Sequence, residues 1–331
     1  MKPLAFSIIR VLSDNEFHSG PDIARVLGVS RASVSNALRD VDEVGLTLYK
    51  VPGRGYRLLD PVQWLERDKI LEHLGTDGAR FDLEVLDTVD STNSLLLRRS
   101  AGGMYSDRPG IPVTTTELQT SGRGRRGRQW HSGLGDSLIF SLLWRFQRGA
   151  GFLSGLSLAV GVAIVRALES CGVEGVVLKW PNDVIYNFCK LAGILIELQG
   201  DMLGPTVAVV GVGMNLRLSD NVQARIDQGV TDVFHIPGAM PDRNRLLATL
   251  LINIVGAMQE FEHKGFSSFR KEWISRHVCQ SKAVTLQLPD GSDESGTVLG
   301  VGTDGSLLLR TRAGIRSFNG GEISLVPEWH V

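Results

Sequence analysis

Three scarcities limit what this 331-residue sequence can encode. There are only three cysteines, an odd number without metal-ligand spacing, which predicts free thiols in a reducing compartment and excludes a disulfide framework. No apolar run reaches the roughly 18 residues that a membrane-spanning helix needs, and no secretory signal is present, so we expect a cytoplasmic protein. The formal net charge is only −1, so affinity for nucleotides or nucleic acids must come from local basic patches.

A chain of this length exceeds what one hydrophobic core usually supports. The pattern of predicted helices and strands changes twice along the chain. Short helices are followed by alternating strands and helices, and after Gln280 by short strands separated by glycine-containing turns. We therefore predict an α+β multidomain fold with domains 1–62, 63–272 and 273–331, the last of them a small β-barrel.

The pattern of the first domain predicts a winged helix-turn-helix. Its second helix starts with Ser19-Gly20-Pro21 and ends at Gly28, and Ser30 can cap a third helix that continues to Val41. A hairpin over 48–59, turning at Pro-Gly-Arg-Gly, supplies the wing. The alternative is a three-helix packing unit that does not contact DNA.

The exposed face of the third helix carries side chains suited to base edges and phosphates. The predicted DNA-binding region is Asp22–Val41, and its principal candidate contacts, with one on the wing, are Arg31, Ser33, Ser35, Asn36, Arg39 and Arg54. Because acids and bases are nearly equal in residues 1–60, DNA binding should be weak unless the protein dimerises.

Residues 119–130, here called the glycine–arginine loop, contain three glycines and four arginines and no acidic residue. Glycine lets backbone N–H groups approach a ligand and guanidinium groups suit phosphate or carboxylate, so the pattern predicts a clamp on a polyanion. A dinucleotide-binding loop is excluded, because the apolar stretch 137–144 favours a strand where such a loop needs a helix. A solvated basic loop is the alternative. We expect the empty loop to be disordered and to order on its ligand.

Four further polar segments are locally unusual. Each has a structural alternative: helix capping, a polar turn, a lysine that reaches water, and a strand-end turn. In chain order they are Asp90-Ser-Thr-Asn93, Lys179-Trp-Pro-Asn-Asp183, Lys190-Leu-Ala-Gly193 and Gly211-Val-Gly-Met-Asn215.

Together with Gly122–Gly127, Trp130 and Gly320–Leu325, these segments resemble, in the same order, the motifs of the biotin protein ligases. The winged helix makes the resemblance greatest to the bacterial ligases that also repress the biotin operon. It covers nearly the whole chain and implies a central mixed-sheet biotin/lipoate ligase-like catalytic domain with helices and a C-terminal SH3-like β-barrel. Between Leu216 and Arg243 the sequence departs from the family, because the tryptophan expected to stack on adenine has no counterpart.

The resemblance implies an ATP-dependent ligase. The carboxylate of biotin attacks the α-phosphate of ATP to give biotinyl-5'-AMP, and a lysine of a biotin acceptor protein, the biotin carboxyl carrier protein of acetyl-CoA carboxylase, then takes the biotinyl group. It further implies Mg²⁺, operator DNA as a partner, and a homodimer formed on adenylate binding. A lipoate ligase and a ligand-sensing transcription factor without chemistry are the rival hypotheses.

Roles for individual residues also follow from the resemblance. The catalytic residues are Lys190, Arg125, Asp183 and Lys179. Biotin would be bound by Ser91, Thr92, Asn93, Gln119, Arg123, Gly124, Arg125, Trp130, Lys190 and Gly193. The adenylate would be bound by Arg123, Arg125, Arg126, Arg128, Lys190 and Asn215. No resident metal site is predicted, and Asp183 would act either through Mg²⁺ or by orienting the incoming amine.

Overall fold

The computed structural model describes residues 1–39, 41–105, 108–200, 203–238 and 241–325. Residue 40 of the predicted DNA-binding region and residues 326–331 of the predicted last domain therefore lie outside the described residues. In the described part of the chain, no helix combines the length and apolar character needed to cross a bilayer.

The predicted winged helix-turn-helix is confirmed. Its elements are α1 Pro3–Val11, α2 Gly20–Leu27, α3 Arg31–Ala37, and the antiparallel strands β1 Leu48–Val51 and β2 Gly55–Leu58. The hydroxyls of Ser19 and Ser30 accept backbone N–H groups and cap α2 and α3 as predicted. Helix α3 ends at Ala37 rather than at Val41, and the chain turns there so that Leu38 and Val41 are both buried.

The central region forms a seven-stranded mixed sheet, as predicted, in the order β3-β4-β5-β9-β8-β7-β6. Only the β3–β4 pair is parallel. The strands are β3 Phe81–Val89, β4 Ile111–Gln119, β5 Ser137–Phe146, β6 Val177–Lys179, β7 Asp183–Tyr186, β8 Cys189–Gly200 and β9 Thr206–Asn215. The segment Lys179–Asp183, for which a polar turn was the structural alternative, forms a tight connection between β6 and β7 through a cis Trp180–Pro181 bond.

Within the described part of the central region, six α-helices accompany this sheet. They are α4 Arg67–Leu74, α5 Thr92–Ala101, α6 Leu156–Ser170, α7 Asp220–Gln223, α8 Arg243–Lys264 and α9 Arg270–Ser275. Helices α6 and α8 pack against each other in the core. Nearly every apolar residue of α6 is buried, which explains why its sequence is apolar almost all round.

The predicted small β-barrel domain is confirmed as five antiparallel strands in the order β13-β12-β11-β10-β14. They are β10 Ala283–Gln287, β11 Asp293–Val301, β12 Leu307–Thr311, β13 Gly314–Phe318 and β14 Glu322–Leu325. Strand β14 was not predicted as a strand. It lies within the Gly320–Leu325 motif and pairs with β10.

The hydrophobic cores extend across the boundaries between the three regions. The cluster around Phe6 and Ile9 includes Leu118 and Leu134 of the central region, and one large cluster spans the central and C-terminal regions. A buried ion pair joins Arg243 Nη1 to Glu117 Oε2 at 2.9 Å, and the other oxygen of Glu117 accepts from the backbone N–H of Leu65. The chain around the predicted boundary at residue 62 is thus fixed to the sheet.

Asp136 lies beneath the contact between the first domain and the sheet. Its Oδ1 accepts from Gly133 N at 2.7 Å and Ser137 Oγ at 2.8 Å, whereas Oδ2 has no hydrogen-bond partner among the described residues. The neighbouring Leu134 donates its backbone N–H to Val44 O of the first domain at 2.8 Å. Burial raises the pKa of Asp136 from 3.8 to about 6, because little solvent is left to stabilise the carboxylate.

Replacing Asp136 with Asn is therefore expected to stabilise the protein above about pH 6. Between about pH 4 and pH 6 the folded chain binds more protons than the unfolded chain, so the free energy of unfolding falls as the pH rises through that window. The Asn oxygen can still accept from Gly133 and Ser137. In urea denaturation the variant should be more stable than the parent by about 2 kcal/mol at pH ~7.5 and by less at pH ~5.

The exposed Asp68, replaced with Asn, is the control for this measurement. An equal difference for Asp136→Asn at both pH values would contradict the assigned cause.

Candidate active site

A cavity of about 770 Å³ opens beside the central sheet. Its walls come from the start of α5, the glycine–arginine loop, the β6–β7 turn, strands β8 and β9, a segment at 225–228, and β14. The predicted site residues that the cavity brings together are Ser91, Thr92, Asn93, Gln119, Arg123, Gly124, Arg125, Arg128, Trp130, Lys179, Asp183, Lys190 and Gly193.

The N-terminus of α5 presents a buried polar cluster to this cavity. The Thr92 backbone N–H and hydroxyl both donate to Gln119 Oε1, at 2.9 and 3.2 Å. Ser141 Oγ lies 2.6 Å from both Thr92 Oγ1 and Asn93 Oδ1. The helix capping by Ser91, considered above as the alternative, is present as well, so the segment both caps α5 and faces the cavity.

The glycine–arginine loop folds as a hairpin. Gly124 N donates to Arg128 O at 2.7 Å, and Trp130 N donates to Gly122 O at 3.0 Å. A Cβ at Gly122 would lie 2.4 Å from Trp130 O, so this close backbone approach requires glycine. The expected ordering of the loop on ligand binding stays a prediction.

The four arginines of the loop have different surroundings. Arg125 is the half-buried one, and it donates to Asn182 Oδ1 at 3.2 Å. Burial lowers the pKa of its guanidinium, although the group keeps its charge near neutral pH. Arg123 donates to Glu197 and Arg128 to Glu322.

The structure places the Arg126 side chain outside the cavity, and its predicted contact with the adenylate stays a prediction. Its Nη2 donates to Leu288 O of the C-terminal region at 3.0 Å, and the residue is not among the described residues that line the cavity. Its φ of +57° turns the chain at the tip of the hairpin, which directs the side chain away from the cavity.

Lys190 and Asp183 form an ion pair inside the cavity, with Nζ 2.8 Å from Oδ1. Both side chains are mostly buried, at 17% and 18% exposure. The strand β8 begins one residue before Lys190, and a Cβ at Gly193 would lie 3.1 Å from the Lys190 side chain. These contacts hold the Lys190 ammonium and the Asp183 carboxylate in the cavity that Arg125 of the glycine–arginine loop also lines.

Asn215 supports the site without lining it. The side-chain Nδ2 of this buried residue donates to Thr231 O at 3.0 Å and to Lys190 O at 3.4 Å. The described lining residues do not include Asn215, and its predicted contact with the adenylate stays a prediction. It lies behind the wall because its strand turns its side chain toward the backbone of the lysine segment.

The Gly211-Val-Gly-Met-Asn215 motif has a steric explanation. A Cβ at Gly213 would lie 2.5 Å from the Trp130 ring, and one at Gly211 would lie 2.2 Å from Asn93 Oδ1. Both glycines line the cavity on β9. They let the indole and the amide pack directly on the strand, so this motif shapes the cavity rather than merely ending a strand.

Several lining residues were assigned no role from the sequence. Asn182 and 322–324 lie in motifs that the sequence analysis singled out, whereas His131, Arg225, Ile226, Asp227 and Gln228 lie in none of them. The segment 225–228 lies where the sequence departs from the resembled family, so no family motif was present to predict that it lines the cavity. It is held on one side by Arg225 Nη2, which donates to Glu43 O of the first domain at 3.2 Å, and on the other by Lys190 N, which donates to Gly229 O at 2.9 Å.

The predicted DNA-binding face lies on a different part of the molecule. The side chains that α3 and the turn after it expose are Arg31, Ser35, Asn36 and Arg39. Ser33 is half-buried, and its Oγ lies 2.9 Å from that of the capping Ser30. On the wing, the guanidinium of Arg54 stacks 4.2 Å from the centre of the Phe17 ring, which restricts its orientation.

Comparison with known proteins defines the class. A model of the biotin/lipoate A/B protein ligase family matches residues 86–215, an HTH domain model matches 5–57, and a biotin protein ligase C-terminal domain model matches 282–326. The solved biotin protein ligase from Aquifex aeolicus in complex with biotin and ATP superposes with a TM-score of 0.61 at 28% identity. It covers 74% of this chain and 99% of that chain. The catalytic region therefore has the fold of a biotin protein ligase.

Two curated relatives extend the similarity to the winged helix. The bifunctional ligase/repressor BirA of Salmonella typhimurium is 35% identical over 319 residues, 96% of each chain. BirA of Escherichia coli strain K12 is 35% identical over 318 residues, again 96% of each chain. The chain belongs to the family of bifunctional biotin protein ligases and repressors.

Proposed function

We propose that this protein activates biotin with ATP as biotinyl-5'-AMP, transfers the biotinyl group to a lysine of a biotin acceptor protein, and represses biotin synthesis as a DNA-binding protein. The observation that carries the ligase half is the Lys190–Asp183 ion pair, enclosed in a cavity that Arg125 of the glycine–arginine loop faces. The winged helix carries the repressor half. The three free thiols fit the cytoplasm as the location.

The first step is a displacement at the α-phosphate. The biotin carboxylate forms a bond to phosphorus and pyrophosphate leaves, so negative charge is spread over the phosphoryl oxygens in the transition state. Lys190 supplies a compact ammonium for the oxygens where the carboxylate meets the phosphate. Arg125 and Arg123 add positive charge from the loop, and Gly124 lets the backbone approach.

Mg²⁺ would neutralise charge on the leaving pyrophosphate. The described residues contain no group of three or more metal-binding side chains, and the usual Mg²⁺ site on a nucleotide needs only one or two carboxylates besides the phosphates. Of the carboxylates that line the cavity, Asp183, Asp227 and Glu322, we assign this role to Asp183, which is mostly buried beside Lys190. In the second step the same carboxylate orients the lysine amine that attacks the mixed anhydride and displaces AMP.

For recognition of biotin we propose the polar cluster at the start of α5. Ser91, Thr92 and Asn93 contact the ring system, Gln119 lies near the acyl chain, and Trp130 forms an apolar wall on Gly213. The acceptor is the biotin carboxyl carrier protein of acetyl-CoA carboxylase. Its lysine must reach the anhydride through the opening of the cavity.

The ligase half is tested by incubating the purified protein with Mg²⁺, ATP and either biotin or lipoate. Pyrophosphate release and the adenylate, identified by mass spectrometry, are measured in each mixture. Adenylate and pyrophosphate formed with biotin but not with lipoate support the proposal. Product with lipoate alone favours a lipoate ligase, and product with neither favours an effector-sensing transcription factor.

The repressor half includes a proposed homodimer that forms when the adenylate binds and brings two winged helices to a two-fold operator. Sedimentation velocity should give a higher dimer fraction with biotin, Mg²⁺ and ATP than without them. Binding to DNA from upstream of the organism's biotin synthesis genes should rise in parallel. Equal dimerisation in both conditions would remove the coupling but would leave the ligase half intact.

A further inference from the structure

Glu197 is a charged residue on the cavity side of β8 to which sequence reasoning gave no role. Side chains alternate along a strand, so Glu197 shares the face of Gly193 and Leu195, both of which line the cavity. It lies two residues beyond Leu195, at 24% exposure, where the cavity wall continues toward the glycine–arginine loop.

One oxygen of the Glu197 carboxylate accepts hydrogen bonds from two separate walls of the cavity. Glu197 Oε2 accepts from Arg123 Nη2 at 2.6 Å and from Asn93 Nδ2 at 2.9 Å. Arg123 belongs to the glycine–arginine loop and Asn93 to the first turn of α5. The two donors come from different segments, and the carboxylate is the atom group that holds them together.

The contact also fixes the orientation of the Asn93 amide. A carboxylate only accepts hydrogen bonds, so Asn93 must direct its NH₂ group to Glu197, and the same group donates to Leu195 O at 3.2 Å. The amide oxygen is thereby turned toward Ser141 Oγ and β9. Asn93 consequently offers an acceptor, rather than a donor, at the wall of the cavity.

We propose that Glu197 is a positioning residue of the ligase, which latches the glycine–arginine loop over the cavity through Arg123 and sets the hydrogen-bonding polarity of Asn93. This inference rests on the proposed function, since the loop it latches is the proposed clamp on the adenylate. A hydrogen-bonded ion pair at the base of the loop opposes the repulsion among its arginines and the entropy of its glycines. Glu197 does not itself touch the reacting atoms.

Glu197→Gln keeps an oxygen that can take the place of Oε2 but removes the negative charge. The amide oxygen can still accept from Asn93, whereas the contact with Arg123 is no longer an ion pair. We expect bound biotinyl-5'-AMP to dissociate about tenfold faster, because a charge-assisted bond to the loop is lost. The KM for biotin should stay within about twofold of the parent, and Glu197→Leu, which loses both contacts, should raise it about tenfold.

A matched control lies in the C-terminal domain. Glu294 forms a comparable ion pair with Arg316 and is also 24% exposed, so Glu294→Gln should change neither quantity. In the Arg123→Gln background, Glu197→Gln should cause no further acceleration of adenylate release, because the partner is already absent. If the two changes have additive effects on the rate of adenylate release, the proposal that Glu197 latches the loop through Arg123 is wrong.

Hydrogen–deuterium exchange of the protein saturated with biotin, in the absence of ATP, supplies a readout that does not depend on catalysis. Exchange in residues 119–130 should be about tenfold faster in Glu197→Gln and unchanged in Glu294→Gln. If the parent protein forms adenylate while Glu197→Gln alters neither loop exchange nor adenylate release, the latch is wrong and the proposed function stands. If loop exchange rises while the parent forms no adenylate, the latch stands and the proposed function is wrong.

Discussion

Lys190→Ala is expected to lower the rate of adenylate formation by about a thousandfold. The ammonium of Lys190 is mostly buried and lies 2.8 Å from Asp183, and of the cations near the cavity it is the one paired with that carboxylate. Its loss removes positive charge where the transition state gains negative charge, and it leaves the Asp183 carboxylate to repel the phosphates. Single-turnover pyrophosphate release with biotin, Mg²⁺ and ATP measures the effect.

The fold should survive this change, because the core clusters do not include Lys190. Circular dichroism and thermal melting check that point. Lys264→Ala, which removes an exposed lysine paired with Glu260 on α8, is the control and should release pyrophosphate normally. Near-normal release by Lys190→Ala would refute the assigned role.

Arg125→Gly is expected to let biotinyl-5'-AMP escape about a hundredfold faster before transfer, so that lysines of bystander proteins become biotinylated. Arg125 is the half-buried arginine of the loop, and its bond to Asn182 ties the loop to the β6–β7 turn that also carries Asp183. Glycine removes both the charge and the tie. The measurements are the rate at which adenylate leaves the enzyme and the biotin that accumulates on an added unrelated protein.

The adjacent residue offers a closely matched control. Arg126→Gly makes the same chemical change in the same loop, but Arg126 bonds to Leu288 O outside the cavity, and glycine is well suited to its φ of +57°. Adenylate release should stay close to that of the parent. Retained selectivity in Arg125→Gly, or equal release by the two variants, would count against the clamp.

The elements of the fold were predictable where local signals were strong. Ser19, Gly28 and Ser30 marked both ends of α2 and the start of α3 through capping chemistry that depends on neighbouring residues only. Strands β7 and β14 were missed because they are four residues long and follow proline or paired glycines, which favour turns. Their strand character comes from pairing with β8 and β10, and sequence patterns do not report such pairing.

The site was predicted as a set of residue types but not as an arrangement. Most of the predicted residues line one cavity, whereas Arg126 and Asn215 do not, since backbone conformation at the hairpin tip and burial behind β9 direct them elsewhere. Glu197 gave no signal, because a glutamate near the end of an apolar strand normally faces water. Its role depends on two donors that are distant in sequence.

Strand β14 adds a consequence for the order of synthesis. Glu322, Ile323 and Ser324 complete the wall of the cavity, and the ribosome makes them after every other described lining residue. A nascent chain that has already folded Lys190, Asp183 and the loop still lacks that wall. The cavity is therefore not fully walled until translation has passed residue 324, so an unfinished chain that formed the anhydride would release it more readily than the complete protein.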